Sequence, residues 1–345
     1  MRAILALSRM WNCNQEDKKS PKATLDFSIL STVVYVYMKL TGIIPALATP
    51  LTDEERVDEQ GFRRLIQYCL DAGVDGLLVN GSMGCFPVLT DSEQLRAVSV
   101  VVAEVAGAVP VLASLGETGT RRALLKAEQF ARAGADFLNV LPPFYMRPNR
   151  HQVFRHYSEI ASAGILPVLV YDNPVHTKCY IQPETVAQLC ESHSNIVGVK
   201  ESNADCENLQ ELIHLTRKFS NFSVLTGSET LMLAGLQLGC DGAVGGLYNI
   251  CPHMAVKLYE AFRSGDLTQA SQLQRTMIEI AEVFRYGAVW GGFDEAMRYL
   301  VICNRCSGAP YFSSLTEEEA LQVRRILDKH LRLHVTARVA SSPTD

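Results

Sequence analysis

The sequence predicts an α/β fold: a TIM (β/α)8 barrel followed by additional C-terminal helices. Two observations carry this prediction. The first is an internal repeat. Ala72-Gly73-Val74-Asp75-Gly76-Leu77-Leu78-Val79 returns as Ala133-Gly134-Ala135-Asp136-Phe137-Leu138-Asn139-Val140, and more loosely as Leu238-Gly239-Cys240-Asp241-Gly242-Ala243-Val244. Each copy reads as a helix end, a Gly suited to the C′ position, a short polar turn and an apolar strand. The second is a series of eight short apolar runs separated by helical spacers. Continuously apolar strands fit a parallel sheet buried on both faces. Eight such units suit a closed barrel better than an open doubly wound sheet. No G-x-G-x-x-G follows an early strand, which weakens a dinucleotide-binding alternative.

The expected strands are Ile43–Thr49, Gly76–Asn80, Val109–Ser114, Phe137–Leu141, Leu166–Tyr171, Ile196–Lys200, Ser223–Thr226 and Gly242–Gly245. Helix starts are marked by Thr90-Asp91-Ser92-Glu93 and by Gln182-Pro183-Glu184. The barrel is expected over 38–250 and a helical appendage over 251–333. Its helices are predicted at His253–Ser264, Leu267–Tyr286, Phe293–Cys306 and Glu317–Leu331, the last opened by a capping box at Thr316. The remaining 334–345 reads as a frayed tail. Residues 1–37 read differently: a short apolar start, polar Asn14–Lys22, then the β-prone run Phe27–Tyr37. They are expected to be an extension in front of a fold that begins near Met38.

Composition narrows the function. The chain has 345 residues, with 32 Lys+Arg against 37 Asp+Glu and a net charge of -5. Mild acidity without a basic stripe argues against nucleic acid as a partner. No apolar run approaches the roughly 18 residues that span a bilayer, so no membrane partner is expected. The ten cysteines are scattered through apolar stretches, which suits buried thiols in a reducing, cytoplasmic setting. The single C-x-x-C, Cys303–Cys306, lacks the second pair or nearby histidines of a zinc site.

In a TIM barrel the chemistry lies at the C-terminal strand ends. Lys200 closes the sixth strand, where desolvation favours the neutral amine, a form that attacks a ketone to give an imine. An ion pair with Glu201 is the competing reading. Tyr171 ends the neighbouring strand, within reach of a substrate on Lys200 as a proton shuttle; simple packing is its alternative. Gly81-Ser82-Met83-Gly84 offers a hydroxyl and backbone N–H groups suited to a carboxylate, or is merely a tight turn. Tyr145 sits in a proline-bounded loop, available for catalysis or for packing between subunits. Gly227 and Glu229 after the seventh strand, and Val244 on the eighth, complete the candidate substrate contacts.

Together these motifs resemble the dihydrodipicolinate synthase/N-acetylneuraminate lyase family of class I aldolases, over about Leu40 to Leu331. The matching elements are Gly42-Ile43-Ile44-Pro45 with Thr49-Pro50, Gly81-Ser82-x-Gly84, Pro143-Phe144-Tyr145, Tyr171-x-Asn173-Pro174 and Gly198-Val199-Lys200-Glu201. The resemblance implies a homotetramer or homodimer in which Lys200 forms a Schiff base with pyruvate or another 2-keto acid. It makes Tyr171 the general acid/base and gives the keto-acid carboxylate to Ser82 and the Met83 amide. Tyr145 matches a tyrosine that reaches into the neighbouring subunit's site. The covalent imine leaves no need for a metal or organic cofactor.

Departures from the family pattern bear on the second substrate, an aldehyde. The synthase loop reads Gly-Thr-Thr-Gly-Glu, whereas Met83 and Cys85 stand here for the second Thr and the Glu. Met lacks the hydroxyl of the usual Tyr–Thr–Tyr relay. His176 replaces an arginine that clamps the aldehyde's carboxylate. Ser202 takes the place of a threonine of the lyase branch. The expectation is therefore an aldolase acting on a keto-deoxy sugar acid or similar. Dihydrodipicolinate synthase proper and a 2-keto acid dehydratase or deaminase are alternatives. A barrel that binds a keto acid without turnover is the alternative of another class.

Overall fold

A computed structural model describes residues 39–339, with side chains through Leu331; the expected 1–37 extension lies outside the described residues. Among the described residues, with a single helical turn, Pro174–Thr177, after the fifth strand, eight strands alternate with eight main helices. They are β1 (Gly42–Pro45), α1 (Glu59–Asp71), β2 (Leu77–Val79), α2 (Asp91–Val105), β3 (Val111–Leu115), α3 (Thr120–Arg132), β4 (Phe137–Val140) and α4 (Arg150–Ser162). Then follow β5 (Val168–Asp172), α5 (Pro183–Ser192), β6 (Ile196–Glu201), α6 (Cys206–Thr216), β7 (Ser223–Thr226), α7 (Met232–Leu238), β8 (Gly242–Gly245) and α8 (Pro252–Ser264). Three more helices close the chain: α9 (Leu267–Ala281), α10 (Trp290–Tyr299) and α11 (Glu317–Val339).

All ladders are parallel, in the order β1-β8-β7-β6-β5-β4-β3-β2. The ring closes between β1 and β2 through the bridge Ala46–Leu78, with Leu47 N–H donating to Leu78 O at 2.8 Å. The predicted TIM barrel is the observed fold. Alternation along each strand splits the core in two. Ile44, Leu78, Leu112, Phe137, Leu169, Leu225 and Val244 fill the barrel interior. Ile43, Leu77, Val79, Ala113 and Val170 face outward and pack with helical residues such as Phe62, Leu65, Ile66 and Cys69 of α1. That i, i+3, i+4, i+7 spacing is one helical stripe turned to the sheet.

The repeat has a mechanical meaning. In each copy the aspartate clasps the first residues of a neighbouring strand at two points. Asp75 accepts from Ile43 N–H at 2.8 Å and donates its own N–H to Ile43 O. Asp136 does the same with Val111, and Asp241 with Val224. Gly42 must be glycine for the first clasp: it sits at φ +82°, and a Cβ there would lie 1.9 Å from Asp75 Oδ2.

The capping box at Thr316 forms, its hydroxyl accepting from Glu319 N–H and its N–H donating to Glu319 Oε2. Several helix ends differ from expectation. The helix predicted over Leu267–Tyr286 stops at Ala281 and tightens into a 3-10 turn over Glu282–Arg285. The predicted helix Phe293–Cys306 begins at Trp290 and stops at Tyr299. Val301 takes a left-handed φ of 57°, its N–H donating to Arg298 O while Ile302 N–H donates to Met297 O. This is a Schellman closure with valine where glycine is usual, so the sequence gives no stop signal. Cys303 and Cys306 consequently lie in a buried loop, their sulfurs 3.4 Å apart, with Cys306 N–H donating to Asp294. The last helix instead continues to Val339, since neither Gly nor Pro interrupts it; 340–345 lie outside the described residues.

Candidate active site

β5 and β6 pair so that Tyr171 lies beside Lys200 and Asp172 beside Glu201. The alternation that sends Leu169 inward and Val170 outward turns Tyr171 and Lys200 into the barrel mouth. Both are nearly inaccessible, at 2% and 4%. Lys200 Nζ stands over the Tyr171 ring, 4.1 Å from its centroid. Among the described residues no carboxylate reaches ion-pair distance of Lys200, and Glu201 turns to the other side of the sheet, where it accepts from Asn203 N–H. The geometry therefore rejects the Lys200–Glu201 pair.

The Tyr171 hydroxyl is held by neighbours. Asn173 Nδ2 donates to it at 2.9 Å, and Ser82 Oγ lies 3.4 Å away. Asn173 Nδ2 also reaches Ser82 Oγ at 3.4 Å, while its Oδ1 meets His176 Nδ1 at 3.1 Å. Burial would raise the Tyr171 pKa. The Lys200 charge and hydrogen bonds from Ser82, Lys200 and Asn173 outweigh it and hold the hydroxyl below the ordinary tyrosine value. His176 is kept below the usual histidine range by desolvation, then by the charges of Lys178 and Lys200. Behind the mouth, burial pushes Asp172 and Glu201 each up to about 7.

The Gly81–Cys85 turn closes through Gly84 N–H to Gly81 O and Cys85 N–H to Ser82 O, so these bonds do not use the Ser82 and Met83 amides. Thr49 Oγ1 pins the turn by donating to Gly84 O at 2.9 Å. The Met83 side chain lies against Gly246 and the barrel core. Ser202 reaches over Gly227, where a Cβ would come within 1.8 Å of its Oγ. Glu229, a candidate substrate contact, accepts at Oε1 from Gly246 N–H and Leu247 N–H. Val244 is a packing residue of the barrel interior. Tyr145 stands apart from this group, 91% exposed at φ +74°.

A cavity of about 270 Å³ opens beside Ser82 and His176. Its walls include Phe86, Val88, Leu141, Phe144, Trp290 and Tyr311. Tyr171 packs with Phe86, Leu141 and Phe144, three residues of this wall, and so connects the wall to the lysine.

A model of the dihydrodipicolinate synthetase family matches residues 39–330. The chain belongs to that family. A 4-hydroxy-tetrahydrodipicolinate synthase of Methanopyrus kandleri is 37% identical over 243 residues, 70% of this chain and 80% of the relative. An uncharacterized DapA-like lyase of Halobacterium salinarum is 35% identical over 75% of this chain and 84% of its own. Among solved structures, a prophage protein of the dihydrodipicolinic acid synthase family from E. coli K12, in complex with pyruvate, superposes with a TM-score of 0.79. It is 29% identical and covers 84% of this chain and 98% of its own.

The expectation of a carbon–carbon lyase of the dihydrodipicolinate synthetase family is met. Within that family frame, the residue sequence reasoning missed is Asn173. In the sequence Asn173 stands only as part of the Tyr171-x-Asn173-Pro174 motif, yet it joins Tyr171, Ser82 and His176. Its spacing of two from a strand-end tyrosine was the available signal. Among the described residues no group of three or more His, Cys, Asp or Glu is arranged to hold a metal, and no helix is long and apolar enough to cross a membrane.

Proposed function

We propose that the protein is a class I aldolase that joins pyruvate, or a related 2-keto acid, to an aldehyde through an imine on Lys200, or runs the reverse cleavage. The observation that supports this most is the buried Lys200 amine over Tyr171, free of a carboxylate partner among the described residues. Pyruvate in the E. coli relative supports the choice of keto acid. The Ser82 hydroxyl and the Ser82 and Met83 amides receive the pyruvate carboxylate. Lys200 attacks the ketone and water leaves. The protonated imine withdraws electrons, so the methyl group loses a proton and becomes a nucleophilic enamine. Tyr171, held by Asn173 and Ser82, moves the protons. The imine is itself the electron sink, so these steps call on no metal or organic cofactor.

For the aldehyde, the name of the M. kandleri relative favours dihydrodipicolinate synthase proper over the keto-deoxy sugar acid aldolase expected from the sequence. His176 and Met83 favour a second reading, in which the aldehyde lacks the carboxylate that an arginine would clamp. The exposed Tyr145 and Met146 favour a homodimer or homotetramer in which Tyr145 enters a neighbouring site. Incubation with pyruvate and borohydride tests the core of the proposal. A reduced pyruvate adduct is expected on Lys200 by peptide mass analysis and absent from Lys200→Ala. No adduct, or one on another lysine, overturns it.

A further inference from the structure

We propose that the cavity beside Ser82 and His176 receives the non-reacting part of the aldehyde, and that this part is an aryl or branched alkyl group without a carboxylate or a chain of hydroxyls. The inference rests on the imine reading above and on the second of its two aldehyde readings, the one without a carboxylate, and names that substrate. The walls are apolar and largely aromatic, and no Lys, Arg, Asp or Glu is among the lining residues. A carboxylate entering there would shed its water and meet no cation. A polyhydroxylated chain would leave most of its hydroxyls unpaired. An aryl or alkyl group instead takes the place of water against apolar surface.

Size agrees. A dry cavity of about 150 Å³ admits benzene, so about 270 Å³ leaves room for a substituted ring or a branched chain. The polar edge is narrow and directional. Thr177 spends its hydroxyl on Asn173 O and Cys179 O. His176 gives Nδ1–H to Asn173 Oδ1, which leaves Nε2 of the neutral ring as an acceptor for one substrate hydroxyl. The edge also touches the reacting end, because Ser82 bonds both to Asn173 and to the Tyr171 hydroxyl. In the condensation, the enamine carbon bonds to the aldehyde carbon and the aldehyde oxygen takes a proton. Water then cleaves the imine, releasing a 4-hydroxy-2-oxo acid and the free Lys200 amine.

The test uses the full chain with pyruvate and a panel of aldehydes: benzaldehyde and 3-methylbutanal against glyceraldehyde and aspartate semialdehyde. Product mass and pyruvate consumption are followed. The apolar pair is expected to exceed the polar pair at least about tenfold in kcat/KM. Val88→Asp is expected to cancel that preference and Trp290→Ala to weaken it, the latter serving if the charged variant does not fold. Borohydride trapping with pyruvate alone runs in parallel. An adduct on Lys200 together with faster turnover of the polar aldehydes overturns the cavity assignment and leaves the imine reading standing. A preference untouched by both variants also overturns it. Absence of the adduct removes the imine reading, and this inference with it.

Discussion

Tyr171→Phe deletes one hydroxyl from the mouth of the barrel and leaves the ring that Lys200 overlies. General acid–base groups contribute about 10²–10⁴-fold, so kcat should fall within that range while borohydride trapping of pyruvate persists at longer incubation. Steady-state kinetics and adduct mass separate the two effects. Asn173→Ala acts one step removed. The amide donates to the Tyr171 hydroxyl and favours its ionised form. Its removal should therefore move any Tyr171 limb in the kcat–pH profile to higher pH. An unmoved limb would mean that Asn173 only packs. Lys200 and Tyr171 were legible because a polar residue ending an apolar strand has one place to point. The roles of Asn173 and Glu229 were not. Asn173 acts through His176 and Ser82, and Glu229 through two amides after β8; these contacts arise only when separate strand ends meet.

At the scale of the elements, the strands and most helices were readable, because apolar runs and caps are local signals. The end of α10 was not, since Val301 occupies a backbone region that sequence patterns reserve for glycine. The repeated aspartate was recognised as a turn, but its clasp on a neighbouring strand needs the register. Two of the three clasps sit where pairing is thin: β7 and β8 share two register partners and β1 and β2 one isolated bridge, against four between β3 and β4, where Asp136 acts, and five between β5 and β6. Asp241 is the half-buried member, also paired with Lys39 at 2.7 Å. Asp241→Ala should cost about 1–3 kcal/mol, mainly by orphaning Val224 N–H. Asp241→Asn, which keeps an acceptor, should cost less. Urea unfolding of the two variants measures the difference.

For the whole molecule, Asp172 and Glu201 tie stability to pH. Burial raises both to about 7, above the ~4 of an unfolded carboxylate. Below pH ~4 both are protonated in either state, and the folded chain is not penalised. As pH rises from ~4 to ~7 the unfolded chain releases protons first, so stability falls through that window. Asp172→Asn should flatten the fall by ~3 kcal/mol, read from urea midpoints at pH 4.5 and 8. An equal slope in the variant would show that the carboxyl relaxes into solvent when it ionises.

The closure of the ring has a kinetic side. A cylinder of staves opens where its hoop is thinnest, and here that line runs between β1 and β2. Leu47 N–H and Asp75 N–H cross it. In native-state hydrogen exchange these two amides should be released by partial openings, well before the β5–β6 amides that await global unfolding. The β1–β2 line also borders the turn that carries Ser82, whereas Lys200 is anchored in the longest ladder. The Ser82 side of the mouth can then breathe while Lys200, the proposed nucleophile, stays fixed, a division suited to admitting a substrate past a rigid reacting centre.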